Sequence, residues 1–127
     1  YKRQIDNRSV GLRVPDSDPE NRRIENRLGG SDVNPYLALA ATLACGYLGM
    51  TEKIKPRDAI EGSAYDLPFG LHRHMYASID AFSSSEAMRK VLGDAFVDMY
   101  AGIKQKEHEQ FQEIITPWER EHLMLNV

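Results

Sequence analysis

Arg23, Glu25 and Arg27 stand two residues apart in the run Arg22-Arg23-Ile24-Glu25-Asn26-Arg27-Leu28. Alternate side chains of a β-strand share a face at roughly 6.5–7 Å intervals, so a strand over 22–28 places one carboxylate between two guanidiniums. That trio suits polyanion chemistry. A glutamate can hold a divalent cation while planar arginine forks grip phosphate or carboxylate oxygens on either side. On the other face Ile24 and Leu28 are available for burial, with Arg22 and Asn26 diluting the pattern. The plainer reading of the same run is an exposed, charge-paired strand of an antiparallel sheet.

A second strand-like run, Asn7-Arg8-Ser9-Val10-Gly11-Leu12-Arg13-Val14-Pro15, adds Arg8 and Arg13, and the turn-rich Pro15-Asp16-Ser17-Asp18-Pro19-Glu20-Asn21 separates the two. The runs are expected to lie side by side. Arg8 and Arg13 have opposite parity, so a bulge at Gly11 would be needed to aim both at one face; alternatively Gly11 serves close packing and Arg13 is solvated. Four arginines around one glutamate make a better anion site than a structural network.

The elements that must hold these strands are helical. Ser31 or Asp32 can cap a first helix with Pro35 in its first turn, and Leu37, Ala40, Ala41, Ala44 and Leu48 fall on helical spacing as support beneath the strand bearing Glu25. Ser83-x-x-Glu86 reads as a capping box for a short helix ending at Gly93. Asp94 can cap the next helix, with Phe96, Tyr100, Ile103, Phe111 and Ile114 recurring on one side and Lys104, Lys106, Glu107 and Glu109 on the wet face. Thr116-Pro117-Trp118-Glu119 repeats the capping logic for a terminal helix. Residues 51–79, with Lys55-Pro56, Gly62-Ser63, Leu67-Pro68 and Gly70, are expected to run as extended loops with short helical turns. His72-x-His74 is a weak metal signal without a third ligand. The fold class is therefore α+β, with short antiparallel strands at the N-terminus followed by a mainly helical C-terminal portion.

In the same order and nearly the same spacing, Asn7-Arg8-Ser9, Leu12-Arg13-Val14-Pro15, Arg23-Ile24-Glu25-Asn26-Arg27 and Asn34-Pro35-Tyr36-Leu37-Ala38 resemble the C-terminal part of the glutamine synthetase catalytic domain. The resemblance includes the branch that joins glutamate to amines, the γ-glutamyl-polyamine synthetase type. Tyr65-Asp66-Leu67-Pro68 is similar to a late loop motif of the family, and Ile115-Thr116-Pro117-Trp118-Glu119-Arg120-Glu121 through Leu125-Asn126-Val127 to its terminal segment. Residues 1–127 thus look like one portion of that catalytic domain, a fragment without its N-terminal domain and most of its active-site sheet.

The resemblance implies an ATP-dependent ligase. Phosphoryl transfer to the glutamate side chain gives γ-glutamyl phosphate, and ammonia or an amine then displaces phosphate to form a γ-glutamyl amide. Such transfer needs positioning and charge neutralisation more than covalent help. By the same likeness Glu25 is a ligand of Mg²⁺ or Mn²⁺, and Arg8 and Arg23 hold phosphate oxygens and the transferring group. Arg13 supports the nucleotide phosphates, and Arg27 engages glutamate or its acyl phosphate. Arg8 and Arg27 are the catalytic candidates; Arg8, Arg13 and Arg23 are those for ATP. Family members often carry a basic residue just before the Arg-Arg pair, where Glu20-Asn21 stands here. Tyr65 matches a tyrosine that some bacterial members nucleotidylate. The isolated fragment is expected to be inactive, and the full-length protein a ring-forming homo-oligomer, a dodecamer, in the cytoplasm. A non-catalytic, anion-binding scaffold of the same family, or an interaction domain docking through Leu123-Met124-Leu125-Asn126-Val127, are the competing readings.

Composition agrees with these expectations. The net charge of −3 and pI near 5.8 give no global basic footprint for nucleic acid. Residues 1–28 nonetheless carry seven Lys and Arg against five Asp and Glu, while the remainder carries nine against fourteen. Cys45 is the sole cysteine, which excludes an internal disulfide, and its apolar neighbours Ala41-Thr42-Leu43-Ala44 suggest a small core thiol. The apolar stretch from Pro35 to Met50 is shorter than the roughly 20 residues of a membrane span and is interrupted by Gly46 and Gly49.

Overall fold

The computed structural model describes residues 7–68 and 70–124, which belong to two units, Tyr1–Gly70 and Leu71–Val127. The fold class is α+β as expected: two short antiparallel strands precede five α-helices among the described residues.

In the first unit, strand β1 (Leu12–Arg13) pairs with β2 (Glu25–Asn26), placing Leu12 opposite Asn26 and Arg13 opposite Glu25. The ladder is much shorter than the sequence runs 7–15 and 22–28 suggest. A lone two-stranded ribbon is marginal in water, and Pro15 withholds a donor just beyond β1, so regular pairing stops after two residues. The Arg27 N–H extends the contact by donating to the Gly11 carbonyl at 2.8 Å. Gly11 itself serves close packing, because a Cβ there would overlap Leu28 Cδ2. Between the strands, residues Pro19–Asn21 form a 3-10 turn closed by the Asn21 N–H on the Asp18 carbonyl.

Helix α1 (Pro35–Thr51) starts at Asn34, not at Ser31 or Asp32. The Asn34 Oδ1 accepts from the N–H groups of Tyr36 and Leu37 at 3.0 and 3.3 Å, and Pro35 at the first helical position has no N–H to satisfy. Ser31 and Asp32 instead lie in the turn closed by the Val33 N–H on Gly30 O. Ala44 and Leu48 are buried, two of the five positions expected on the supporting face; Ala40 is exposed. Cys45 is exposed as well, so the core-thiol expectation fails. One residue along a helix from Ala44, it points about 100° away from the buried stripe. Lys53, at φ 51°, ends the helix in the left-handed region while the Ile54 N–H bonds the Gly49 carbonyl.

The second unit contains α2 (Met75–Ser83), α3 (Glu86–Leu92), α4 (Asp94–Gln112) and α5 (Pro117–His122). Helix α2 occupies the end of a region expected as loop. Its backbone starts at His74, whose carbonyl accepts from the Ser78 N–H. Helix α3 is capped by Ser85 Oγ, which accepts from the Met88 N–H at 3.3 Å, rather than by Ser83, the last residue of α2. Gly93 does end α3, at φ 85°, and the same residue opens α4, displacing Asp94 from the cap into the first turn. There Asp94, with Asp98, receives the Arg89 guanidinium at 3.0 and 2.7 Å. The Asp98 contact first and the Asp94 contact second push the already high Arg89 pKa further up.

Helices α2 and α3 pack on α4 around Val97, which is wholly buried, and Ala101. The aromatic positions expected on α4 lie beside this core: Tyr100 stands between Phe82 and Phe96 at ring distances of 5.7 and 5.8 Å. Ile103, Phe111 and Ile114 remain exposed, and α4 stops at Gln112 before Ile114. The wet face is as read, with Lys104–Glu107 and Lys106–Glu109 paired three residues apart. The apolar tail ends at Leu125, Asn126 and Val127, which lie outside the described residues.

Helix α5 has the full capping box. Thr116 Oγ1 accepts from the Glu119 N–H at 3.2 Å, and Glu119 Oε2 accepts from the Thr116 N–H at 2.7 Å. These bonds, the backbone one first, hold the Glu119 carboxyl below its ordinary 4.5. A depressed folded-state value means that the ionised cap contributes fully above the ordinary carboxylate range and is lost as pH falls through the lowered value. An NMR titration of the Glu119 carboxyl carbon is therefore expected to give a midpoint below 4.5, returning toward it in Thr116→Ala; equal midpoints in both proteins would contradict the box.

Candidate functional site

Glu25 is placed by its cross-strand partner. Because Arg13 lies directly opposite it in the ladder, the two side chains leave the same face of the ribbon. Arg13 Nε and Nη2 each lie 2.8 Å from Glu25 Oε2, while Arg23 Nη2 reaches Oε1 at 3.4 Å. Glu25 therefore does sit between two guanidiniums, as the two-residue spacing implies, but they are Arg13 and Arg23. Arg27 turns elsewhere and donates from Nη1 to the Asn7 carbonyl at 3.3 Å. The ribbon is too short to keep residue 27 in the β register, so parity no longer governs where its side chain goes. Side chains of Arg13 and Glu25 are 23% and 28% exposed against 59% for Arg23, so the inner pair is partly shielded and the outer one open to solvent.

Asn7-Arg8-Ser9 forms the neighbouring wall. Asn7 Oδ1 accepts from both the Ser9 N–H and hydroxyl, at 3.0 and 2.6 Å. This tight local turn leaves Arg8 exposed between them. The same residues secure the later loop: Asn7 Nδ2 donates to the Gly62 carbonyl at 2.9 Å, and Ser9 Oγ accepts from the Ala64 N–H at 2.8 Å. That loop carries Tyr65, 83% exposed, in a 3-10 turn, Ala64–Asp66. Arg8, Arg13, Arg23, Glu25 and Arg27 thus belong to one framework, with contacts linking Arg13 and Arg23 to Glu25 and Arg27 to the turn that bears Arg8.

Asn26 supplies the tie that sequence spacing did not single out. Its Nδ2 donates to Thr42 Oγ1 on α1 at 2.9 Å, and its Oδ1 accepts from the Leu28 N–H at 3.0 Å. The strand bearing Glu25 is thereby fastened to the helix expected beneath it. An asparagine on the opposite face to Glu25, where a core-facing apolar residue is the norm, was the available signal. Asn7 was likewise legible as the start of an Asn-x-Ser turn.

Two cations, Arg13 and Arg23, hold the one carboxylate, while Arg27 bonds the Asn7 carbonyl. A metal is a different matter: among the described residues no group of three or more His, Cys, Asp and Glu converges, and His72-x-His74 gains no third ligand. Glu25 fits a divalent cation as one hard oxygen donor and no more.

Residues 4–123 match the family description "Glutamine synthetase, catalytic domain". The chain belongs to the glutamine synthetase family, as part of its catalytic domain. It is 39% identical over 119 residues to a glutamate–isopropylamine ligase of a Pseudomonas species, covering 91% of this chain and 26% of that protein. It is 33% identical to gamma-glutamylputrescine synthetase of Escherichia coli K12, over 94% of this chain and 26% of the relative. A glutamine synthetase of Pseudomonas taetrolens is also 33% identical, over 91% and 27%. The chain thus spans about a quarter of the length of the curated relatives it matches. These relatives bear out the resemblance seen in the arginine motifs, and the family contains both glutamine synthetases and related glutamate–amine ligases. No helix among the described residues is long and apolar enough to cross a membrane.

The Asn26 tie leads to a test by hydrogen exchange. In Asn26→Ala the Arg27 amide, bonded to Gly11 O, should exchange about fivefold faster, the equivalent of one net hydrogen bond of about 1 kcal/mol, while α1 amides from Cys45 to Leu48 hold their rates. Unchanged exchange at Arg27 would show that the ribbon does not depend on this contact.

Proposed function

We propose that the chain is the arginine-rich phosphate-handling part of an ATP-dependent ligase that joins glutamate to ammonia or an amine through γ-glutamyl phosphate. The observation that supports it most is the carboxylate of Glu25 set among guanidiniums on a ribbon tied to α1. Arg8 and Arg23, both exposed, are the arginines best placed to take phosphate oxygens of ATP, with Arg13 behind them against the nucleotide phosphates. Arg27 gives one long bond to Asn7 O, and among the described residues the rest of its fork has no protein partner. That leaves a planar pair of donors for the carboxylate or acyl phosphate of glutamate. Glu25 would hold Mg²⁺ or Mn²⁺ as one ligand among others; the ion, when bound, supplies charge neutralisation to the phosphates. The protein's own share is to orient the oxygens in line and to spread the negative charge of the transferring group over fixed cations.

An amine acceptor larger than ammonia is the finer reading. The 39% relative is named for isopropylamine and another for putrescine, although glutamine synthetases are nearly as similar. A ring-shaped, dodecameric homo-oligomer working in the cytoplasm, with neither nucleic acid nor membrane as partner, completes the proposal. The acidic net charge supports the exclusion of nucleic acid.

Assays of ADP release by the intact protein, with glutamate and a panel of amines, test this reading. Glu25→Gln keeps size and hydrogen-bonding capacity, yet is expected to lower turnover by on the order of a hundredfold or more, the loss typical of one missing electrostatic stabiliser. Arg27→Lys keeps the charge but not the fork, so the KM for glutamate should rise by about tenfold. Wild-type rates in the first variant, or an unchanged KM in the second, would remove these residues from their roles.

A further inference from the structure

The hydroxyl of Ser9 uses both of its bonding roles. It donates to Asn7 Oδ1 at 2.6 Å and accepts the N–H of Ala64, far along the chain, at 2.8 Å. Asn7 is committed in the same way. Its Oδ1 also takes the Ser9 N–H at 3.0 Å, and its Nδ2 donates to the Gly62 carbonyl at 2.9 Å. One side chain therefore closes its own turn and grips the loop, while the main-chain carbonyl of the same residue accepts Arg27 Nη1 at 3.3 Å. A carbonyl points where its peptide plane points, and the Oδ1 bonds to Ser9 restrain that plane. The aim of Arg27 is thus joined, through one turn, to the loop that holds Gly62 and Ala64. Gly62 sets the register from the loop side, at a φ of 83° that L side chains rarely adopt.

We propose that Ser9 is a positioning residue for Arg27: its hydroxyl couples the Gly62–Ala64 loop to that arginine, so that glutamate binding and docking of the loop on the Asn7–Ser9 turn favour one another. The inference rests on the reading of Arg27 as the arginine that engages glutamate. Ser9 acts through Asn7, not on glutamate itself. Coupling of this kind is reciprocal, so whatever loosens the loop weakens glutamate by the factor by which glutamate tightens the loop. Arg13 and Arg23 face Glu25, outside this chain of bonds. The nucleotide phosphates therefore keep partners that the loop does not govern, and the effect is selective for the amino-acid substrate.

The test uses the intact protein, with ADP release as the assay and hydrogen exchange of the Ala64 amide as a readout separate from turnover. Ser9→Ala should raise the KM for glutamate by about fivefold, the effect of one net hydrogen bond, and leave the KM for ATP within about twofold. Ser9→Thr keeps the hydroxyl and should hold the glutamate KM within about twofold of wild type. Gly62→Ala alters the loop alone, where a Cβ meets open space but the backbone is strained. It should raise the glutamate KM as well, and it carries the test should Ser9→Ala fail to fold. In the wild type, saturating glutamate should slow exchange at Ala64 by about fivefold, and Ser9→Ala should abolish that response. An unchanged glutamate KM in either variant, an equal rise in the KM for ATP, equal rises in Ser9→Ala and Ser9→Thr, or an Ala64 amide indifferent to glutamate would overturn the coupling while leaving the ligase reading in place. Wild-type protein that releases no ADP in response to glutamate would overturn both.

Discussion

One contact between neighbouring strands organises the first unit. Arg13 and Glu25 are twelve residues apart in sequence and meet only because the turn through Pro19–Asn21 brings β1 and β2 into antiparallel register. The ladder is too short to be stable by its own hydrogen bonds, and it persists because its side chains are held on both faces. On one face the guanidinium–carboxylate pair bridges the strands. On the other, Asn26 is anchored to Thr42, whose own hydroxyl donates to the Ala38 carbonyl within α1. The site is therefore rigid where the helix supports it and open where Arg23 and Arg8 face solvent.

The same economy of contacts explains the role of short polar residues. Asn7, Ser9, Asn26 and Asn34 each satisfy backbone groups that an irregular chain leaves without partners. Through Asn7 and Ser9 the arginine-bearing turn is joined to the Gly62–Ala64 loop, so the exposed Tyr65 is carried on a loop fixed to the site's own framework. The second unit is built differently, from helix capping and a small core at Val97 and Ala101, with Arg89 fastening the α3–α4 corner. Helix α1 is apolar on more than one side: besides buried Ala44 and Leu48 it exposes Leu39, Leu43, Tyr47 and Met50.

Much of this was legible in the residues. The family was legible as a resemblance of motifs along the chain, while the capping box at Thr116, the glycine stop at residue 93 and the wet face of α4 follow from local chemistry acting over three or four positions. The misplaced features share a cause. Ser31, Asp32, Ser83 and Asp94 are good capping residues that lost to Asn34, Ser85 and Gly93, because several neighbours could cap and only the path of the chain chooses among them. Cys45 was misjudged since apolar neighbours in sequence say nothing of which side of a helix is covered.

The candidate site divides along the same line. Residue types and two-residue spacing by themselves determined that one acid and several arginines would share a small region. Which guanidiniums hold the acid was decided by tertiary structure, because regular strand geometry lasts two residues and beyond it a long flexible side chain goes wherever an acceptor lies. Strand parity predicted Arg27 as the second partner of Glu25; the fold supplied Arg13 from across the ribbon and gave Arg27 to the Asn7 carbonyl.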